Sequence, residues 1–278
     1  MLESGASNQG LASKRRLRQN RHMAGDGANG APPAGDGVEL KVTLGTNQVD
    51  EALAAFDLDT EVAERRRIWF CEQLGGHGGP GMLPLLARGI ILRVRKRADH
   101  ADDSTLKLRG PEGCLDPELW HRRTGGFGDL ARVEGDWAGD HHLVSASLDA
   151  EVEGGRIDEV VAEGPHQVRR LLSDDQEALA GEWLLGLDRL TLLGPIQARK
   201  WDRGAGGLPN NVAAELWEVD ERLRFLELSM REEEDPLGEQ LRLEESIRSR
   251  GLQLAQEQEP KTTTVLAHFA AAEAARPH

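Results

Sequence analysis

Alternating apolar and polar residues run through much of the chain and predict β-strands. In the stretch 38–44, Val38, Leu40, Val42 and Leu44 alternate with polar residues, which is the period of a strand with one buried face. Similar alternation, or runs rich in β-branched and aromatic residues, predict eight more strands. They lie at 66–72, 90–97, 104–109, 130–136, 142–152, 190–201, 211–219 and 223–230.

Helical spacing occurs between these strands rather than in regular alternation with them. Helices are predicted at 47–56, at 82–88 before Gly89, after a capping box formed by Ser173 and Gln176, and at 236–254. Because no βαβ rhythm is present, the strands should be mainly antiparallel. The predicted fold is α+β, an antiparallel β-barrel (tunnel) of about eight strands with helices inserted and packed outside.

The barrel pattern starts at residue 38, which places the domain at 38–270. Residues 1–37 are rich in Gly, Ala, Asn and Ser, a composition that favours a disordered tail. The stretch after 254 is rich in alanine and is interpreted as a tail that ends the domain.

Composition narrows the functional classes. The chain has 34 Lys+Arg against 48 Asp+Glu, a net charge of −14, which argues against nucleic acid as a partner. No apolar run approaches the roughly 18 residues of a membrane span, and no apolar leader is present. Two cysteines are too few for a disulfide scaffold or a zinc cluster. A cytoplasmic protein without a membrane partner is expected.

Against this acidic background, cations occupy every second position of two adjoining predicted strands. Arg93, Arg95 and Arg97 share one face of the first, and Lys107 and Arg109 share one face of the second. If these faces turn towards the interior of a barrel, the guanidinium and ammonium groups suit a highly charged phosphate anion. Carboxylates in the same interior could hold Mg²⁺ or Mn²⁺.

The ordered set VELKVTL, LRVRKR, STLKLR and LELS resembles the CYTH, or triphosphate tunnel metalloenzyme, superfamily. The resemblance spans 38–230 and implies a tunnel barrel that acts on a triphosphate or polyphosphate. It assigns Glu39 and Lys41 to catalysis. By the same resemblance, the phosphate-binding cations are Arg93, Arg95, Lys107, Arg109, Arg132 and Arg199 (or its neighbour Lys200). The metal ligands would be Glu39, Glu134, Glu215 and Glu227.

Two positions depart from the family pattern. Its opening and closing motifs carry acidic residues where this chain has Gly37 and Ser229. Losing ligand charge should lower metal affinity, although Glu134, Asp136 or Glu218 could compensate.

Three functions remain open from the sequence. The first is a metal-dependent phosphohydrolase acting on a triphosphate or short polyphosphate, with Mg²⁺ or Mn²⁺ as cofactor. The second is a catalytically weakened module that binds polyphosphate or a nucleotide without turnover. The third is an adenylyl cyclase, which ranks below the other two because the sequence offers no adenine-specific signal. Separately, the tryptophans are expected to pack in the core or at the rim, with Trp201 or Trp217 as alternatives for lining a base- or ring-binding mouth. A homodimer is left open as well.

Adjacent residues His141 and His142 do not predict a metal site, since neighbours on a strand point to opposite faces.

Overall fold

The computed structural model of the protein describes residues 37–74, 82–110, 131–182, 186, 189–254, 258 and 260–275. Nine strands form a closed barrel in the order β1-β5-β6-β4-β3-β2-β7-β8-β9. The strands are β1 Val38–Gly45, β2 Glu64–Glu72, β3 Ile90–Arg97, β4 Asp102–Arg109, β5 Arg132–Ala138, β6 His141–Val152, β7 Thr191–Trp201, β8 Ala213–Glu218 and β9 Arg224–Glu232.

The predicted α+β barrel is therefore confirmed, with nine strands in place of about eight. Its pairings are antiparallel except for β1 with β5, which run parallel. The first strand closes the barrel by lying between β5 and β9.

In the described part of the chain, six helices accompany the barrel, together with 3₁₀ turns at Thr46–Gln48 and Pro165–Leu171. They are α1 Val49–Ala55, α2 Pro84–Ala87, α3 Arg156–Glu163, α4 Asp174–Glu182, α5 Pro236–Arg248 and α6 Lys261–Ala274. The capping box of α4 is confirmed: Gln176 N–H donates to Ser173 Oγ, and Ser173 N–H donates to Gln176 Oε1.

The prediction of a tail after residue 254 was wrong. The alanine-rich stretch is not a tail but the helix α6, in keeping with the high helix propensity of alanine. Val265 and Leu266 of α6 are buried against the barrel, so this helix belongs to the packed structure.

The barrel carries its apolar faces outward, under the helices, and its polar faces inward. Leu40 and Val42 of β1 pack with Val49 of α1 and with Leu243 and Ile247 of α5. On the opposite side, the outer faces of β3, β4 and β6 pack against α3 and α4. Because side chains alternate along a strand, this outer packing turns the charged residues towards the interior.

One end of the interior is apolar instead. Phe70, Trp217 and Phe225 lie where β2 and β8 finish and β9 begins, and they pack with Val265 and Leu266 of α6. The helix α6 therefore plugs this end, and the charged part of the interior lies beyond it.

Several predictions fall on parts of the chain outside the described residues. These are the tail 1–37 apart from Gly37, the glycine-rich loop at 75–81, the stretch 111–130 with Cys114 and Trp120, and Trp183. None of the helices in the described part of the chain combines the length and the hydropathy that crossing a membrane demands.

Candidate functional site

A cavity of about 260 Å³ lies inside the barrel. Its lining includes eight cationic side chains and six carboxylates, so it carries a charge of +2 when all are ionised. Ten of the eleven residues predicted for the site line this one cavity. They are Glu39, Lys41, Arg93, Arg95, Lys107, Arg109, Arg132, Glu134, Glu215 and Glu227.

Arg93 is a tunnel cation without a carboxylate partner among the described residues. Its Nη2 donates to Thr105 Oγ1 at 3.0 Å, its buried Nε has no hydrogen-bond partner, and no carboxylate of the described residues forms an ion pair with it. Burial, and next the charge of Arg95, lower the pKa of the Arg93 guanidinium to about 10. It remains charged at neutral pH, and a partly buried charge that no carboxylate contacts directly is costly. An anion in the cavity would supply the missing partner.

The neighbouring Arg95 is held differently. Its Nε donates to Asp103 on β4 at 2.9 Å. Although burial disfavours its charge, Asp103 raises the pKa of Arg95. Arg93 and Arg95 thus point into the same cavity from one strand face, one nearly uncompensated and one paired.

A second group of cations surrounds Asp136. Lys41 Nζ lies 2.7 Å from Oδ1, while Lys107 Nζ and Arg109 Nη2 lie 2.9 and 3.0 Å from Oδ2. Burial opposes ionisation, but Lys107, Lys41 and Arg109 together hold the pKa of Asp136 well below its usual range. One carboxylate therefore holds three cations together, two of which also contact Glu39 or Glu134.

Glu39 and Lys41, the predicted catalytic pair, form an ion pair of 2.8 Å. Burial opposes ionisation of Glu39, yet Lys41 and Lys107 lower its pKa to about 2. Burial likewise disfavours the charge of Lys41, but Asp136 and Glu39 raise its pKa. Both groups keep their charges at neutral pH, so neither is poised to exchange a proton there.

Glu134 is buried and bound by cations from three strands. Arg231 donates to its Oε2, Arg132 Nε lies 3.3 Å from the same atom, and Lys107 Nζ lies 3.9 Å from Oε1. The half-exposed Arg132 also contacts Asp149 at 3.3 Å. Glu134 therefore has little coordination capacity left for a metal.

The remaining predicted carboxylates form an acidic wall, Glu215 of β8 and Glu227 of β9, which lie directly opposite each other. Lys261 Nζ lies 3.0 Å from Glu215 Oε2 and 2.9 Å from Glu227 Oε1. Arg66 Nη1 approaches Glu215 Oε1 at 3.3 Å. Sequence reasoning missed Lys261, because nothing in the alanine-rich stretch signals that its first residue enters a barrel.

The prediction of Arg199 as a tunnel residue was wrong. Arg199 lies on the outer face of β7 and pairs with Glu218 of β8, whereas Lys200 lines the cavity. The sequence left these adjacent residues as alternatives, and the pairing of Lys200 with Glu215 and of Ala198 with Trp217 decides the register.

The residues present do not fit a preformed metal site. No group of three Asp, Glu, His or Cys side chains in the described part of the chain is arranged to hold a metal ion. Ser229 stands opposite Lys41 on the barrel wall. Gly37 has a φ of +91°, and a Cβ there would lie 3.0 Å from the carbonyl oxygen of Glu232. A glutamate at position 37 could not be restored without backbone strain, because the residue there has a positive φ. At position 229 an acid would face Lys41.

Two further sequence interpretations concern rings. His141 lines the cavity while His142 stacks on Trp137 at 3.9 Å, so the pair does point to opposite faces. Trp201 donates from Nε1 to the carbonyl oxygen of Asp59 at 2.9 Å and packs in the outer core. Trp217 faces the interior, but Phe70 and the ammonium of Lys261 cover its ring.

Comparison with known proteins supports the fold. No model of a known protein family matches the sequence, and no curated protein matches it. Among solved structures, the chain is similar to HpAC1 from Hippeastrum, a candidate adenylyl cyclase with a dominant triphosphatase activity. The identity is 16%, the TM-score is 0.51, and the match covers 84% of this chain and 96% of that chain.

Two other solved structures are similar over comparable lengths. A candidate adenylate cyclase from Bacillus halodurans shares 10% identity with a TM-score of 0.49, covering 82% of this chain and 96% of that chain. The PH1819 protein from Pyrococcus horikoshii OT3 shares 14% identity with a TM-score of 0.44, covering 83% and 99%. The shared fold rests on the match to the Hippeastrum protein alone.

Proposed function

We propose that the tunnel binds a short phosphate-chain anion such as inorganic triphosphate or the triphosphate end of a larger molecule. The observation that carries this proposal is Arg93, a partly buried cation in the tunnel with no carboxylate partner among the described residues. The shared fold with a protein that has triphosphatase activity is consistent with it.

The charge of the whole cavity supports the same ligand class. The Asp136 cluster adds three cations to the cavity that Arg93 and Arg95 line: Lys107 and Arg109 on the neighbouring strand β4, and Lys41 on β1. Lys200 adds an interior cation that forms no ion pair within the described residues, although its charge acts on Glu215. Guanidinium and ammonium groups held apart along a strand match the spaced oxygens of a phosphate chain.

The size of the cavity favours a small anion over a whole nucleotide. About 260 Å³ lies just below the roughly 300–1,000 Å³ of sites for drug-sized ligands. The interior tryptophan offers no open face for a base, because Lys261 lies 4.0 Å from the ring of Trp217. These observations rank the adenylyl cyclase alternative below phosphate-chain binding.

Hydrolysis of the bound anion is the stronger version of this proposal and stays a prediction. Lys41 retains its positive charge, which suits neutralising charge on a departing phosphate better than abstracting a proton from water. No step through a metal is proposed, since the carboxylates that line the cavity already pair with cations.

Calorimetry with a ligand series tests the proposal. We expect inorganic triphosphate to bind more tightly than pyrophosphate and orthophosphate, with an affinity that falls as salt is added. Release of phosphate should be followed in the same samples, with and without Mg²⁺ or Mn²⁺.

Each outcome has a defined meaning. Equal, weak affinity for triphosphate and orthophosphate would contradict phosphate-chain binding. Tight binding without phosphate release would identify a binding module, and release of phosphate would identify a phosphohydrolase.

A further inference from the structure

Lys261 brings a positive charge into the tunnel from outside the barrel. It is the first residue of α6, and it is 8% exposed. Its ammonium lies within 3.0 Å of a carboxylate oxygen on each of Glu215 and Glu227. The ring of Trp217 lies 4.0 Å from it on another side, a cation–π contact that favours a charged ammonium.

The acidic wall needs a cation at this position. Glu215 and Glu227 are direct cross-strand neighbours, and like charges directly opposite each other destabilise a sheet. Burial disfavours ionisation of Glu215, but Lys261 and the nearby Lys200 and Arg66 hold its pKa well below its usual range. The two carboxylates of the wall thus stay ionised because the ammonium of Lys261 pairs with both of them.

The position of Lys261 is not explained by the stability of its own helix. A positive charge at a helix N-terminus opposes the helix dipole, and the first turn of α6 has no acidic residue to offset it. The burial of Val265 and Leu266 instead anchors α6 in the end of the barrel, which presses its first residue against the acidic wall. The compensating interactions of Lys261 are those with Glu215 and Glu227.

We infer that Lys261 is a tethered cation that takes the place of a divalent metal at the acidic wall. As a consequence, the tunnel binds its phosphate anion without metal, a part of the inference that rests on the proposed function. The other part, exclusion of metal from the wall, does not depend on any phosphate ligand.

Manganese binding tests the exclusion directly. Titration of the full-length protein with Mn²⁺, followed by the electron paramagnetic resonance of free Mn²⁺, should show no tight site in the wild type. Lys261→Met frees both carboxylates and should raise Mn²⁺ affinity by about tenfold or more, since ligand charge sets affinity. Lys261→Arg retains the charge and should bind as weakly as wild type.

Lys200→Met is the matched control. It removes a tunnel cation whose charge acts on Glu215 without forming an ion pair with either glutamate, so its Mn²⁺ affinity should rise by no more than about threefold over wild type. An equal gain in Lys200→Met and Lys261→Met would overturn the inference, because cavity charge rather than occupation of the wall would then control metal binding. Tight Mn²⁺ binding by the wild type would overturn it as well, and that result needs no variant to fold.

The anion part is tested on the wild type by calorimetry with inorganic triphosphate, in EDTA and then in Mn²⁺. We expect the two affinities to agree within about threefold, and a gain above about tenfold on adding Mn²⁺ would contradict the inference. If triphosphate binds in neither condition, the proposed function fails, while the Mn²⁺ titration still decides whether Lys261 excludes metal.

Discussion

The two walls of the tunnel treat charge in opposite ways. On the cationic wall, formed by β3 and β4, Arg93 faces the cavity without a carboxylate partner among the described residues. On the acidic wall, formed by β8 and β9, Glu215 and Glu227 share Lys261, and Glu215 also contacts Arg66.

This difference indicates which kind of ligand the interior lacks. A charge taken out of water is tolerated when a partner compensates it. In the described part of the barrel the tunnel carboxylates have cationic partners, whereas Arg93 and Lys200 pair with no carboxylate. The tunnel carboxylates therefore need no added cation, whereas the tunnel cations can still accept an anion. Variants on matched inner and outer positions can separate these two properties.

The largest effect is expected on stability at the acidic wall. Glu215→Gln leaves Lys261 and Arg66 with reduced compensation, so the free energy of unfolding should fall by about 3 kcal/mol, as when a buried pair is broken. Glu218→Gln, on the outer face of the same strand and paired with Arg199, should cost only about 0–1 kcal/mol. Urea unfolding measures both, and equal costs would show that the wall is not a buried ion-pair network.

Next in size is an effect on binding at the cationic wall. Arg93→Met should weaken triphosphate binding about 30-fold, or roughly 2 kcal/mol, which is typical of a hydrogen bond to a charged group. Because Arg93 has no carboxylate partner, its loss should not lower stability. Lys96→Met changes an outward residue of the same strand that pairs with Asp158, and calorimetry should find its affinity unchanged. An unaltered affinity in Arg93→Met would remove the main support for the proposed function.

A smaller effect should distinguish the two neighbours at the end of β7. Lys200→Met removes an interior cation and should weaken triphosphate binding by about three- to tenfold, as expected for a partly solvated point charge. Arg199→Met removes an outward cation and should leave the affinity within about twofold of wild type. The reverse result in calorimetry would contradict the register of β7.

The smallest effect is a pH dependence of stability. The folded-state pKa of Glu39 is about 2, against an ordinary value of 4.5, so the unfolded chain binds the proton first. The contribution of ionised Glu39 to the free energy of unfolding is present above about pH 4.5 and is lost as the pH falls towards 2. Because Glu39 is partly exposed, we expect about 1 kcal/mol of this loss between pH 5 and pH 3.

Urea unfolding at pH 7, 5 and 3 measures this loss, and Glu39→Gln serves as the control. The variant should show a shallower decline than wild type over the same interval. Parallel declines would assign the acid sensitivity to the other tunnel carboxylates.

Much of the barrel could be predicted because its strands alternate so regularly. Period-two patterns in β1, β3 and β4 assign each residue to one of two faces, and this is sufficient to group Glu39, Lys41, Arg93 and Lys107 on the polar one. Adjacent candidates were harder. Choosing Lys200 over Arg199 required the pairing of β7 with β8, since a shift of one residue exchanges the two faces.

The local sequence pattern could not predict which carboxylates pair with the tunnel cations. Asp136 was noted only as a possible substitute acid, yet it binds three cations from two other strands. Such contacts join residues up to 95 positions apart in the chain, and no periodicity records them.

By itself, the sequence determined that the chain forms an α+β barrel and that a row of cations shares one face of its strands, because side-chain alternation is a local property of the backbone. Only the tertiary structure decided that this face turns inward, that α6 plugs one end, and that Lys261 neutralises Glu215 and Glu227 while Arg93 is left without a carboxylate. Those outcomes depend on which distant segments meet when the apolar faces are buried, and burial is a property of the whole fold.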